Sequence, residues 1–210
     1  MRKPLDPAPT HQPSPRRFEV GPVPVNVSDY PFIDLVNSLV ADHTGSSVPV
    51  DRLEMAGWRR WFMTRYGLSV NERRLPVPLP KLRQFRHELR SLLENWHATG
   101  QLRPADRRRM EGWLAKCVTR PSLDRESKHI SLTRIPHARD WDWFMGAIAE
   151  SAATVLSSIQ PVRLKVCDNP DCRFMFYDRT RNHSRRWCSG GYCGNLLRVR
   201  EYRRRDSATC

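Results

Sequence analysis

The chain has 210 residues, 39% of them apolar, enough for one domain of ordinary size plus a small accessory module, so a wholly disordered protein is excluded. Its net charge is +14, and 31 of its 36 basic residues are arginine, whose guanidinium fork grips two phosphate oxygens at once; a GC-rich genome would also raise that count everywhere. No stretch approaches the roughly twenty apolar residues of a membrane span and no signal-like apolar block opens the chain, so a cytoplasmic protein without membrane contact is expected.

Residues 1–28 hold seven prolines and few large apolar groups, and are expected to form a disordered arm. Ser28-Asp29-Tyr30-Pro31 then opens a helix, with Phe32, Leu35, Val36 and Leu39 on one face and an expected end near Ala41. A turn-rich interval from His43 to Val50 follows. Asp51 caps a second helix carrying Leu53, Trp58, Trp61 and Phe62, which Gly67 ends. After the break at Pro76 to Pro80, the longest helix spans Pro80 to Thr99. Leu82, Phe85, Leu89, Leu92, Leu93 and Trp96 form its apolar stripe and Gly100 stands past its end.

Pro104 starts another helix, with Met110, Trp113 and Leu114 inward and Arg107, Arg108 and Arg109 on a solvated face. Lys128 to Ile135 alternates like a short strand that pairs near Thr119. Asp140 to Gln160 closes the domain with Trp143, Phe144, Ala147, Ile148, Ala152, Val155 and Leu156 on a wide buried face. Residues 29–160 therefore read as a mainly α domain with a short β element. Its tryptophans, Trp58, Trp61, Trp96, Trp113 and Trp143, read as core; the alternative is an apolar pocket for a small effector. Cys117 reads as a small buried side chain and Cys210 as part of a frayed end.

Residues 161–210 form a second unit with a net charge of +7, half of the whole excess. Cys167 and Cys172, then Cys188 and Cys193, make two C-x4-C pairs separated by fifteen residues. Two knuckles of this kind present four thiolates to one structural Zn2+, and Asn169-Pro170-Asp171 and Gly190-Gly191 supply the turns that curl each knuckle. Four thiolates leave no open position for water. Without a nucleophile motif, a phosphate-cradling glycine loop or H-E-x-x-H, the chain reads as a non-enzyme with no catalytic residues. Loss of a zinc ligand is expected to unfold this module and to leave the helical domain largely folded.

The stretch from Cys167 to Arg205 resembles the CGNR zinc-finger family, a bacterial group named for the tetrapeptide at its last cysteine. Here that tetrapeptide reads Cys193-Gly194-Asn195-Leu196, so whatever the family's arginine does is not carried over to Leu196. Pro31-Phe32-Ile33-Asp34-Leu35-Val36-Asn37-Ser38-Leu39 resembles the opening of the ABATE domain. The resemblance implies a stress-response transcription regulator in which that helical domain precedes the finger.

Between and beyond the knuckles run Arg179, Arg181, Arg185 and Arg186, then Arg198, Arg200, Arg203, Arg204 and Arg205, opposed by the single acid Glu201. On a helix after Cys193, Leu196, Val199 and Tyr202 share one side and are expected to dock, while the arginines face out toward double-stranded DNA. The expected protein is thus a mainly α, DNA-binding transcription regulator of the nucleoid. It has a small zinc-ribbon-like module ending in a basic helix, and RNA polymerase or a second copy of the chain stands as a further partner. The alternative is an RNA-binding or ribosome-associated zinc-ribbon protein, which would require Phe176, Tyr177 or Trp187 to face solvent.

Overall fold

The computed structural model describes residues 28–40, 49–123, 130–158 and 161–208. The expected arm, apart from Ser28, most of the turn-rich interval before Val50, and Cys210 lie outside the described residues. Within them the architecture is mainly α, with six helices and three two-stranded antiparallel ribbons. The elements are α1 (Pro31–Val36), β1 (Leu39–Val40), β2 (Val50–Asp51), α2 (Ala56–Tyr66), α3 (Leu79–Thr99) and α4 (Pro104–Leu114). There follow β3 (Thr119–Leu123), β4 (Leu132–Pro136), α5 (Trp141–Ser158), β5 (Leu164–Val166), β6 (Met175–Tyr177) and α6 (Asn195–Ala208).

Periodicity and punctuation account for the long helices. The whole apolar stripe of α3 is buried, and α2 and α3 both end on glycines in the left-handed region, Gly67 at φ 66° and Gly100 at φ 69°. The α5 face packs on α4 so closely that a Cβ at Gly146 would stand 2.7 Å from the Cys117 amide nitrogen and 2.9 Å from the Trp113 carbonyl oxygen. Only glycine permits that approach. Trp58, Trp96, Trp113 and Trp143 are buried in the core and Trp61 packs against it, as in the core reading of the sequence. Cys117 is half-buried, with its thiol donating to Glu150 at 3.2 Å. The strand expected near Ile135 is β4, and Thr119 pairs with Pro136 at its end.

The first helix departs from expectation, ending at Val36 instead of Ala41. The chain is claimed by other partners past Val36: the Asn37 side chain bonds Met175, the Ser38 carbonyl accepts from Arg52 N at 2.9 Å, and Leu39–Val40 pair with Val50–Asp51. Ser38 accepts a bond from Arg86 Nη1 at 2.9 Å, and Arg86 grips the Asp51 carboxylate through two bonds of 2.6 and 3.0 Å. Asp51 caps the 3-10 turn at Arg52–Glu54, accepting from Leu53 N at 3.0 Å, and α2 begins only at Ala56.

Asp34, also buried, accepts from Ser28 N at 2.8 Å and meets Tyr66 Oη at 2.7 Å, while Tyr66 Oη also lies 2.9 Å from the Ser28 carbonyl. Tyr66 has one hydroxyl hydrogen for two acceptors. A proton on Asp34 resolves the shortage, because the carboxyl then donates to Tyr66 and Tyr66 donates to Ser28. Burial pushes the Asp34 pKa up to about 7, against the pull of its hydrogen bonds and of Arg65 and Arg52. A carboxyl raised in this way contributes stability that is complete below its unfolded value of about 3.9 and is lost as pH rises through its folded one. Thermal unfolding at pH 4 and pH 8 should therefore show Asp34→Asn raising Tm by several degrees at pH 8 and changing it little at pH 4.

The core does not stop at residue 160. Leu164 and Met175 belong to the same buried cluster as α1, α3 and α5. The two units expected from the sequence share a core.

Candidate metal centre and basic surface

β5 and β6 carry the chain into and out of the first knuckle, pairing Leu164 with Tyr177 and Val166 with Met175. Successive side chains of this short strand face opposite ways. Phe174 and Phe176 pack with the cysteines, whereas Met175 enters the helical core, with Tyr177 against it. Inside the knuckle the buried Asn169 accepts at its carbonyl from Cys172 N at 2.9 Å and Arg173 N at 3.2 Å, and its side chain takes Asp171 N at 3.2 Å. Arg173 then turns through φ 52°. In the second knuckle Ser189 holds the wide turn Gly190–Gly194, with its hydroxyl accepting from Tyr192 N at 3.3 Å and its carbonyl from Gly194 N at 3.0 Å. A Cβ on Gly194 would lie 3.1 Å from the Trp187 indole, so the glycine after the last cysteine lets α6 start against that ring.

These turns bring the sulfurs of Cys167, Cys172, Cys188 and Cys193 within 4.8 Å of one another, all buried. Cys172 Sγ lies 3.5 Å from Cys188 Sγ, which lies 3.7 Å from Cys193 Sγ. Thiolates bound to zinc at about 2.3 Å in a tetrahedron have edges of about 3.8 Å, so the donor set fits one zinc ion. Two further donors orient the sulfurs. Cys188 N lies 3.4 Å from Cys167 Sγ and Asn169 Nδ2 lies 3.5 Å from Cys193 Sγ. Hydrogen bonds from Cys172 and Cys188 pull the Cys167 thiol down into the ionised form, and the same bonds to Cys167 push the Cys172 and Cys188 thiols up. The zinc is structural, because four thiolates complete its tetrahedral shell. His183, turned through φ 51°, stands apart from this cluster.

The loop between the knuckles is organised by Asp178. This fully buried carboxylate would be raised by burial, but bonds from Thr180 Oγ1 at 2.6 Å and Thr180 N at 2.9 Å, the Lys165 ammonium at 3.0 Å and Arg185 N at 3.0 Å hold it well below the usual range. Arg185 is half-buried and faces its own module. It donates through Nε to Trp187 O at 2.9 Å and through Nη2 to Cys188 O, and lies 4.6 Å over the Phe176 ring.

The other eight arginines of the expected surface, Arg179, Arg181, Arg186, Arg198, Arg200, Arg203, Arg204 and Arg205, are exposed. Arg179 pairs with Asp29, Arg186 with Asp168 at 2.7 Å, Arg200 with Asp171 at 2.5 Å, and Arg204 and Arg205 with Glu201. Arg181 and Arg203 make no ion pair among the described residues. Arg186 and Arg198 cover the Trp187 ring at 5.4 and 5.7 Å.

α6 corrects the expected docking face. Leu196 is half-buried, but Val199 is 40% exposed and Tyr202 is 69% exposed. The helix packs on the Gly190–Gly194 turn, and from Val199 onward its apolar stripe is left exposed. The role of Asp178 has one local hint in the sequence, Thr180 two residues later as in a side-chain turn, whereas the inward use of Arg185 has none.

The family model described as "CGNR zinc finger" matches residues 163–206. The ABATE model, described as "Putative stress-induced transcription regulator", matches residues 29–159, more than half of the chain. No curated protein matches the chain. Among the described residues no helix is long and apolar enough to cross a membrane. The chain belongs to the ABATE family, and its ABATE domain is followed by a CGNR zinc finger.

Proposed function

We propose that the chain regulates transcription by binding double-stranded DNA through the zinc-held basic surface. The observation that carries this reading is the set of eight exposed guanidinium groups, drawn from the loop between the knuckles and from α6, around one metal-locked scaffold. Their acidic partners do not exclude phosphate. Asp168, Asp171 and Glu201 are themselves largely exposed, and pairs of that kind contribute only about 0–1 kcal/mol, so DNA oxygens replace them at small cost.

Duplex DNA is favoured over single-stranded RNA because the rings that would stack on bases are occupied. Phe176 is buried, Tyr177 lies edge-on to Tyr30 with centroids 5.4 Å apart, and Trp187 lies beneath two guanidinium groups. On this reading α6, which has the dimensions of a major-groove helix, brings Arg198 and Arg200 to base edges, while Arg203, Arg204 and Arg205 hold phosphate.

Fluorescence anisotropy against salt tests the reading. Affinity for duplex DNA should fall steeply with salt, and replacing Arg181 and Arg203 together by alanine should reduce the slope by about 2, at roughly 0.9 per phosphate contact. An unchanged slope removes both residues from the interface. Better competition by single-stranded RNA of equal length favours the RNA-binding alternative.

A further inference from the structure

The geometry points to a binding site for a small organic carboxylate in the seam between α1 and the zinc module. A cavity of about 170 Å3 lies there, lined by Asp29, Tyr30 and Ile33 on one side and by Tyr177, Arg179 and Arg185 on the other. It is smaller than the roughly 300 Å3 at which drug-sized pockets begin, which excludes a nucleotide. Two guanidinium groups against one carboxylate give it a positive balance and exclude a cation.

Arg179 is the replaceable partner. Its ion pair with Asp29 is open to water, 61% of the arginine side chain and 50% of the aspartate side chain being exposed, so little is lost when an incoming carboxylate takes the place of Asp29. Asp29 keeps a second cation in Arg65, at 3.8 Å. Arg185 supplies the fixed donor: its Nε and Nη2 hold the carbonyls of Trp187 and Cys188, and its remaining N–H groups have no acceptor among the described residues. The Tyr30 and Tyr177 rings, packed edge to face, give a wall for a planar body attached to the carboxylate. Through Arg185 the same cavity touches the knuckle from which α6 starts. The site is independent of the DNA reading, since it is assayed without nucleic acid.

Calorimetric titration of the zinc-loaded full chain with benzoate, and with its neutral isostere benzamide, tests the site. Benzoate should bind saturably at one per chain and benzamide about tenfold more weakly or worse, a factor equivalent to about 1.4 kcal/mol. Arg179→Gln should weaken benzoate about tenfold. Asp29→Asn should tighten it several-fold, because the competing carboxylate is gone; a purely structural role for Asp29 would give the opposite sign. No saturable benzoate binding, equal binding of benzamide, or weaker binding by Asp29→Asn overturns the proposal.

Discussion

Replacing Cys188 with serine should lower the melting temperature of the helical domain as well as empty the finger. Structural zinc contributes apparent binding energies of about 10–16 kcal/mol to small modules that fold around it, so loss of one thiolate releases the knuckles. This outcome differs from the one expected from the sequence alone, in which the helical domain stays largely folded, because the two units share buried contacts. β6 lies between the two units, with Phe174 and Phe176 against the sulfur cluster and Met175 in the core beside α1, while Val40 of the helical unit packs into the sulfur cluster. When the metal leaves, α1 loses a buried neighbour. With a shift of about 2–4 °C per kcal/mol in a chain of this size, loss of the β6 contacts should lower the helical transition by about 10 °C. Circular dichroism at a helical wavelength, alongside zinc analysis, reads both quantities. One zinc per wild-type chain and a single cooperative transition are expected, and a Cys188→Ser chain whose helices melt at the wild-type temperature would show that the two units are independent.

Asn37→Ala should be nearly as damaging, although Asn37 is remote from the metal in sequence. Its Nδ2 donates to Met175 O at 2.8 Å and its Oδ1 accepts from Met175 N at 2.9 Å, so one side chain satisfies both backbone groups of a buried strand residue. Alanine leaves both groups buried and unpartnered, at about 1–3 kcal/mol each, which makes a total of about 2–6 kcal/mol. Hydrogen exchange at the Met175 amide gives a local reading of the same event. Exchange should accelerate sharply in the variant. Wild-type protection together with an unchanged Tm would show that Asn37 does not join the two units.

The parts of this molecule that were legible in the sequence are those governed by local spacing. The C-x4-C pairs announced the metal site, because a tetrahedron of thiolates constrains the chain within a few residues of each ligand. The stripe of α3 and the stop signals at Gly67 and Gly100 were equally plain, since period and punctuation belong to one element. What was hidden depends on partners far along the chain. Asn37 and Met175 are 138 residues apart, and no periodicity distinguishes a helix-end asparagine that clamps a distant strand from one that faces water. Asp34, within the same short word, carries no local sign of its burial, because its partner Tyr66 lies 32 residues further along the chain. α6 failed in the opposite sense. Its stripe of Leu196, Val199 and Tyr202 was read correctly as a pattern, but a stripe docks only where a wall exists, and from Val199 onward this one is left exposed.

Covalent crosslinking of the chain to nucleic acid in its own cells, followed by sequencing of what is bound, tests the regulatory reading most directly. The expected result is a discrete set of duplex DNA sites sharing a sequence, with the enrichment lost when Cys188 is replaced by serine and the preference relaxed when Arg198 and Arg200 are replaced by alanine. Recovery of RNA in place of DNA, or DNA recovery that is uniform along the genome and indifferent to the zinc ligands, would contradict it.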